Sequence, residues 1–309
     1  MEYRVLGKTG LKVSRLGLGA AQHGDLDVPD EQVERSLHHA LDSGINFIDT
    51  AALYNKSEER IGRFLASRKD EFTLATKCGS HWIKGSRGRK MVEDYTRDGI
   101  LQSVEESRRK LRMDVIDLVQ FHGLPPIDGL DEAFETLLEL KDKGWARFVG
   151  VSADGPAAAA FVGKPTGALD AAELARKWPV DTWQFTYNFL SQEAASELMP
   201  VLREERIGTI VKRPMSNVVW AWEQVPENDF YQKPLQRARQ LPLQELAEDL
   251  SVVEFALRFV LSHPDVDVAL SGTISTEHLK ENVRYTERGP LPGERVRKAR
   301  DLFDKLFGS

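Results

Sequence analysis

Short apolar runs and amphipathic helical stretches alternate along nearly the whole of this chain, and that rhythm constrains the fold more than any single motif. Strand candidates fall at Val13–Gly19, Ile45–Thr50, Phe72–Lys77, Val115–His122, Ala146–Ser152, Thr182–Asn188, Gly208–Met215 and Val266–Gly272. Between the first of them, Val33, Leu37, Ala40 and Leu41 share one face at helical spacing, as do Ile61, Phe64 and Leu65. Further helices are expected around Asp98–Leu111, Leu130–Lys143, Ala171–Trp178, Gln192–Arg206, Ser251–His263 and Thr276–Thr286. Parallel strands need crossover connections, so this alternation calls for a parallel α/β sheet. A chain of 309 residues with 41% hydrophobic content would serve two average domains or one large barrel. Eight strand–helix units with no linker-like composition between them favour the second, a closed (β/α)8 TIM barrel forming a single domain over 1–309. An open dinucleotide-binding sheet would need G-x-G-x-x-G after its first strand, and Gly17-Leu18-Gly19 is only a fragment of that pattern.

The opening MEYRVLGKTGLKVSRLGLG reads as an N-terminal β-hairpin around Lys8-Thr9-Gly10, followed by a strand entering the body of the protein. Three segments exceed what the repeat requires: Ser80–Thr96, Asp154–Leu169 and Asn217–Asp249. They follow the third, fifth and seventh expected strands, where the loops of a parallel barrel build the active face. The last holds Trp220, Trp222, Phe230 and Tyr231, which would either cover an apolar ligand or form a local core.

Charge and cysteine content narrow the function. A net charge of -6 and a pI near 5.8 argue against nucleic acid as the main partner. The basic stretch Lys84–Lys90 reads as a solvated loop. The single cysteine, Cys78, allows no intramolecular disulfide and fits a reducing compartment; with no thiol-activating motif around it, it reads as a small strand-end residue. The N-terminus has no long apolar run after its charges, and no stretch approaches the ~20 apolar residues that span a bilayer, so a soluble cytoplasmic protein is expected.

Four residues at the ends of successive strand candidates carry chemistry when taken together. Asp49 and Tyr54 lie in NFIDTAALY, Lys77 in FTLATKCG and His122 in DLVQFHG. Side chains alternate along a strand, so Asp49 shares a face with Ile45 and Phe47, Lys77 with Thr73 and Ala75, and His122 with Leu118 and Gln120. In a barrel all four would converge on its mouth. An aspartate would fix and charge the lysine, and a phenol beside an ammonium gives up its proton more readily. Tyr54 would then serve as general acid, with His122 orienting a carbonyl oxygen or sharing proton delivery at lower pH. Singly, each has a structural explanation, as a barrel ion pair, a strand-end histidine or a loop anchor; their joint placement favours catalysis. Metal catalysis is a poor alternative, because His23, His38, His39, His81 and His122 include no ligand spacing such as H-E-x-x-H.

The spacing IDTAALYxxSEExIG, the LATK strand, the IDLxQxH strand, the opening LGKTGLKVSRLGLG and the closing SGTISTEHLKEN resemble the aldo-keto reductase family, in the family's order and from about residue 1 to 290. The resemblance implies a (β/α)8 barrel, a nicotinamide cofactor held without a Rossmann fold, a small carbonyl substrate, and an Asp–Tyr–Lys–His tetrad matching Asp49, Tyr54, Lys77 and His122. It assigns Gly19, Ala20 and Ala21 to the neighbourhood of the cofactor, together with Asp49, and gives Ser152 and Gln184 to the nicotinamide carboxamide. The usual Ser-Asn is here Ser152-Ala153, so one amide contact is missing. Where many members stack an aromatic ring on the nicotinamide, this chain has Lys212-Arg213-Pro214-Met215, and the two cations are candidates for the pyrophosphate.

By the same resemblance, Gly272, Thr273, Ser275 and His278 lie where a helix start suits phosphate, and Glu281 and Asn282 where adenine is bound. Lys and Arg, frequent in NADP-dependent members, are replaced here by Gly272 and His278. NADPH is the expected cofactor, with NADH as its rival. A regulator resembling the potassium-channel β subunits, binding cofactor with little turnover, is the reading from another class.

Overall fold

A computed structural model describes residues 1–85, 88–154, 170–224 and 229–308. Eight parallel strands close into a barrel in the order β10-β11-β12-β3-β4-β5-β8-β9, where β3 is Leu16–Gly19, β4 Phe47–Asp49, β5 Thr73–Cys78, β8 Ile116–His122, β9 Ala146–Ser152, β10 Thr182–Thr186, β11 Gly208–Lys212 and β12 Val268–Ser271. Helices at Asp30–Asp42, Ser57–Phe64, Arg97–Leu111, Leu130–Asp142, Ala171–Lys177, Val252–Leu261 and Thr276–Glu287 surround it. The expected (β/α)8 architecture is therefore present.

Alternation along the strands divides the barrel wall. Phe47, Ala75, Leu118, Ile210, Val268 and Leu270 point inward and form the interior cluster with Leu6 and Val13, while the outward residues pack under the helices. Leu6 and Val13 come from the N-terminal hairpin, β1 (Tyr3–Val5) and β2 (Lys12–Ser14), which plugs the end of the barrel where the strands begin. Contact there is tight: Gly7 has φ +48°, and a Cβ on it would lie 2.2 Å from the Gly208 nitrogen. Asp267 ties the plug down by accepting from the Gly7 and Thr209 amides. With this end filled, the open mouth lies where the strands finish.

Four expectations need correction. Val13–Gly19 is not one strand, because the chain leaves the hairpin at Ser14 and enters the barrel only at Leu16. Gly208–Met215 ends early, at Lys212, since Arg213 turns left-handed at φ +55°. Ser80–Thr96 is mostly an antiparallel hairpin, β6 (Ser80–Gly85) with β7 (Gly88–Glu93), whose cross-strand pairs give the backbone its partners; Lys84–Lys90 straddles its turn, with 86–87 outside the described residues. Asn217–Asp249 contains helices Asp229–Gln240 and Leu243–Ala247. The periodicity reading also missed the helix Gly293–Phe307, fastened by Arg237, whose guanidinium stacks on Phe303 and Phe307. Within Asp154–Leu169, 155–169 lie outside the described residues. No helix among the described residues is long and apolar enough to cross a membrane.

Because the interior is filled by side chains rather than solvent, truncation there leaves a void. Ile210→Ala should lower unfolding free energy by about 2–5 kcal/mol, read from urea denaturation, without changing the helical circular dichroism of the folded state.

Candidate active site

At the mouth, the inward face of the barrel changes from apolar to polar within one step on four of the strands. Above Phe47 comes Asp49, above Ala75 Lys77, above Leu118 Gln120, and above Ile210 Lys212. Lys77 is almost wholly buried; its ammonium lies 2.6 Å from Asp49 Oδ2 and donates to the Thr50 carbonyl at 2.9 Å. Burial works to lower the Lys77 pKa, but the Asp49 carboxylate, and after it Tyr54, outweigh that effect and the net direction is upward. The lysine is thereby kept charged inside the protein.

Asp49 is held in turn. Its Oδ1 accepts from Gln184 Nε2 at 2.8 Å and from Gln120 Nε2 at 3.4 Å, and Gln184 Oε1 accepts from the Ser152 hydroxyl at 2.7 Å. One hydrogen-bonded chain therefore runs Ser152–Gln184–Asp49–Lys77 across four strands. Gln120 is a member that the motif reading passed over, although its place two residues before His122 was a signal for it.

Tyr54 approaches from the loop after β4. Its ring centroid is 5.3 Å from the Lys77 ammonium and 5.5 Å from the His122 ring, which it meets edge-on at 86°. Gly24 makes this approach possible, because a Cβ there would stand 1.9 Å from the Tyr54 carbonyl oxygen. His122 ends β8, and its own carbonyl is held by the Tyr95 hydroxyl at 2.9 Å. Burial, reinforced by Lys77, Lys212 and Arg213, holds its pKa well below the ordinary 6.5. The surroundings thus favour the neutral form of the imidazole. Its Nδ1 and the Gln120 Oε1 are buried without a partner among the described residues.

The remaining candidate residues divide by position. Gly19 closes β3 beside Asp49, and the Ala20 amide donates to the Asp49 carbonyl; Ala21 is exposed. Gly272 follows β12. The two glycines face each other across adjacent strand ends, and a Cβ at Gly272 would be accommodated, meeting nothing nearer than the Gly19 oxygen at 3.7 Å. The space left at these two strand ends, and the buried unpaired atoms of His122 and Gln120 on β8 across the barrel from β12, give the mouth an open edge and polar atoms of the kind a nicotinamide would use.

Lys212 and Arg213 both face Asp154, at 3.3 and 3.7 Å, and Asp154 also accepts from the Thr186 amide at 2.6 Å. Asp154 carried no motif and was not foreseen. Pro214 is buried and Met215 half-buried just beyond. Thr273 and Ser275 form the cap of the helix Thr276–Glu287, with the Ser275 hydroxyl accepting from the His278 amide; His278 and Glu281 are exposed on that helix. Asn282 is buried, and its amide nitrogen donates to the Ser271 hydroxyl at 2.8 Å, joining the helix to β12. Trp222 and Tyr231 lie 5.1 Å apart, and Trp220 packs on the buried Phe189, so part of the aromatic cluster is local core.

Comparison with known proteins agrees with this fold. The model of the Aldo/keto reductase family matches residues 15–303. The uncharacterized oxidoreductase YqkF of Bacillus subtilis is 28% identical, over 96% of this chain and 95% of that protein. Among solved structures, the holo form of aldo-keto reductase AKR11C1 from Bacillus halodurans is 29% identical with a TM-score of 0.79, covering 98% of this chain and 96% of that one. The glycerol dehydrogenase AKR11B4 from Gluconobacter oxydans is 27% identical with a TM-score of 0.80, covering 99% and 96%.

The buried imidazoles give the fold a pH dependence. Burial, the leading cause in each, lowers His23 and His263 to about 4 and His122 well below 6.5. Each therefore binds fewer protons folded than unfolded below about pH 6.5, so stability falls as pH drops through that value, by at most about 1.4 kcal/mol per pH unit per histidine. The melting temperature should fall between about pH 7 and pH 5, and His23→Asn should flatten that slope.

Proposed function

The chain belongs to the aldo/keto reductase family, and on that premise we propose that it reduces an aldehyde or ketone to the alcohol, with Tyr54 as general acid. The observation that carries this reading is the buried Lys77–Asp49 pair beside the Tyr54 ring. The family uses nicotinamide cofactors, and a reduced nicotinamide, when bound, supplies the hydride. The chain's own residues supply the proton and the positions. The Tyr54 hydroxyl gives its proton to the carbonyl oxygen as negative charge gathers there, and the Lys77 ammonium stabilises the phenolate left behind. Asp49 keeps Lys77 both charged and aimed. Neutral His122 orients the carbonyl oxygen by hydrogen bonding.

In the same reading, Ser152 and Gln184 hold the carboxamide, Gly19, Ala20 and Ala21 border the ring, and Arg213, Pro214 and Met215 lie along the pyrophosphate with Lys212 beside them. Gly272, Thr273, Ser275 and His278 receive the ribose phosphate, and Glu281 and Asn282 the adenine. NADPH is the preferred form, because the Thr273 and Ser275 hydroxyls and the free amides at the start of the Thr276–Glu287 helix suit an additional phosphate.

Turnover of 4-nitrobenzaldehyde with NADPH tests the proposal. Tyr54→Phe should lower kcat at least about 100-fold while leaving the cofactor Kd unchanged. Tight cofactor binding with no turnover across a broad carbonyl panel would instead favour a sensor. In paired fluorescence titrations NADPH should bind more tightly than NADH; equal affinities, or tighter NADH, would reverse the cofactor preference alone.

A further inference from the structure

Lys212 occupies a place in the barrel that the proton chemistry does not use. It is the last residue of β11 and shares the inward face with Ile210. In the closed strand order, β11 stands opposite β5, which carries Lys77. The mouth thus has Tyr54, Lys77 and His122 on one side and a second ammonium on the other.

The two ammonium groups are not balanced alike. Lys77 has the Asp49 carboxylate at 2.6 Å and the Thr50 carbonyl as well. Lys212 has Asp154 at a longer 3.3 Å, and that carboxylate also faces Arg213 and accepts from the Thr186 amide. Burial leads in drawing the Lys212 pKa down, against the upward pull of Asp154, so here the offset is incomplete. The Lys212 side chain is 19% exposed, enough to face a ligand and too little for water to screen it fully.

We infer that Lys212, set by Asp154 at the end of β11 across the mouth from Lys77, makes the site discriminate between the two redox forms of a nicotinamide, favouring the reduced one. The inference rests on the reading under Proposed function. The reduced ring is neutral and the oxidised ring carries one positive charge, whereas the phosphates are the same in both. A fixed ammonium beside the ring therefore repels only the oxidised form, and any attraction it has for phosphate cancels in the ratio of the two affinities. Such a residue speeds release of the oxidised cofactor and biases the site toward reduction.

The test is the ratio of Kd for NADP+ to Kd for NADPH, from quenching of intrinsic fluorescence in the full chain with no substrate present. Lys212→Met should lower that ratio about tenfold, equivalent to about 1.4 kcal/mol, by tightening the oxidised form. Lys212→Arg should preserve the ratio, and Lys212→Gln should lower it as Lys212→Met does, so the test survives if the methionine variant fails to fold. An unchanged ratio in Lys212→Met, with both forms weakened equally, would assign Lys212 to the phosphates and overturn the inference while leaving the reductase reading intact. Failure of the wild-type chain to bind either form would overturn both.

Discussion

A lysine ammonium buried against an aspartate carboxylate at the mouth of a parallel barrel is the contact on which the rest of the site depends. Removing two charges from water costs several kcal/mol per ion, and mutual attraction repays it only when geometry is close and the remaining valences are filled. Both conditions hold here. The Lys77–Asp49 contact is 2.6 Å, the Thr50 carbonyl takes another lysine proton, and Gln184 and Gln120 occupy the second aspartate oxygen. The pair cannot rearrange without leaving a buried charge exposed to apolar surroundings, so whatever leans on it is held in place.

What leans on it is organised by the two-residue period of the strands. The same alternation that fills the barrel with Phe47, Ala75, Leu118 and Ile210 delivers Asp49, Lys77, Gln120 and Lys212 one step higher. Folding and function thus share one pattern, an apolar layer below and a polar layer above. The hairpin plug closes the lower end, and the missing side chains at Gly19 and Gly272 keep part of the upper layer open. Tyr54 is brought in from a loop, and a close backbone approach at Gly24 governs where it lies.

Much of this was legible in the sequence, for physical reasons. The strand–helix alternation is a local signal repeated eight times, and each of Asp49, Lys77 and His122 sits at a strand end that hydrophobic runs make visible. The β6–β7 hairpin was not legible, because its short strands mix Trp82, Ile83 and Met91 with basic residues and glycines, which reads as a solvated loop. The early end of β11 was hidden too, since nothing in the run GTIVKRPM shows that Arg213 turns left-handed. Asp154 was invisible for a different reason: its partners Thr186, Lys212 and Arg213 lie on or just after the next two strands of the barrel, and only the folded sheet brings them to it. Long-range polar pairing, unlike periodicity, leaves no mark on neighbouring residues.

The central claim, that Asp49 and Lys77 act as one unit, is tested most directly by a double-mutant cycle on kcat/KM for 4-nitrobenzaldehyde reduction by NADPH, using Asp49→Asn, Lys77→Met and the two combined. If the pair is a unit, the combined variant loses about as much as the worse single variant, because the second change removes a group already without its partner. Losses that multiply, each replacement acting as though the other residue were absent, would contradict the account.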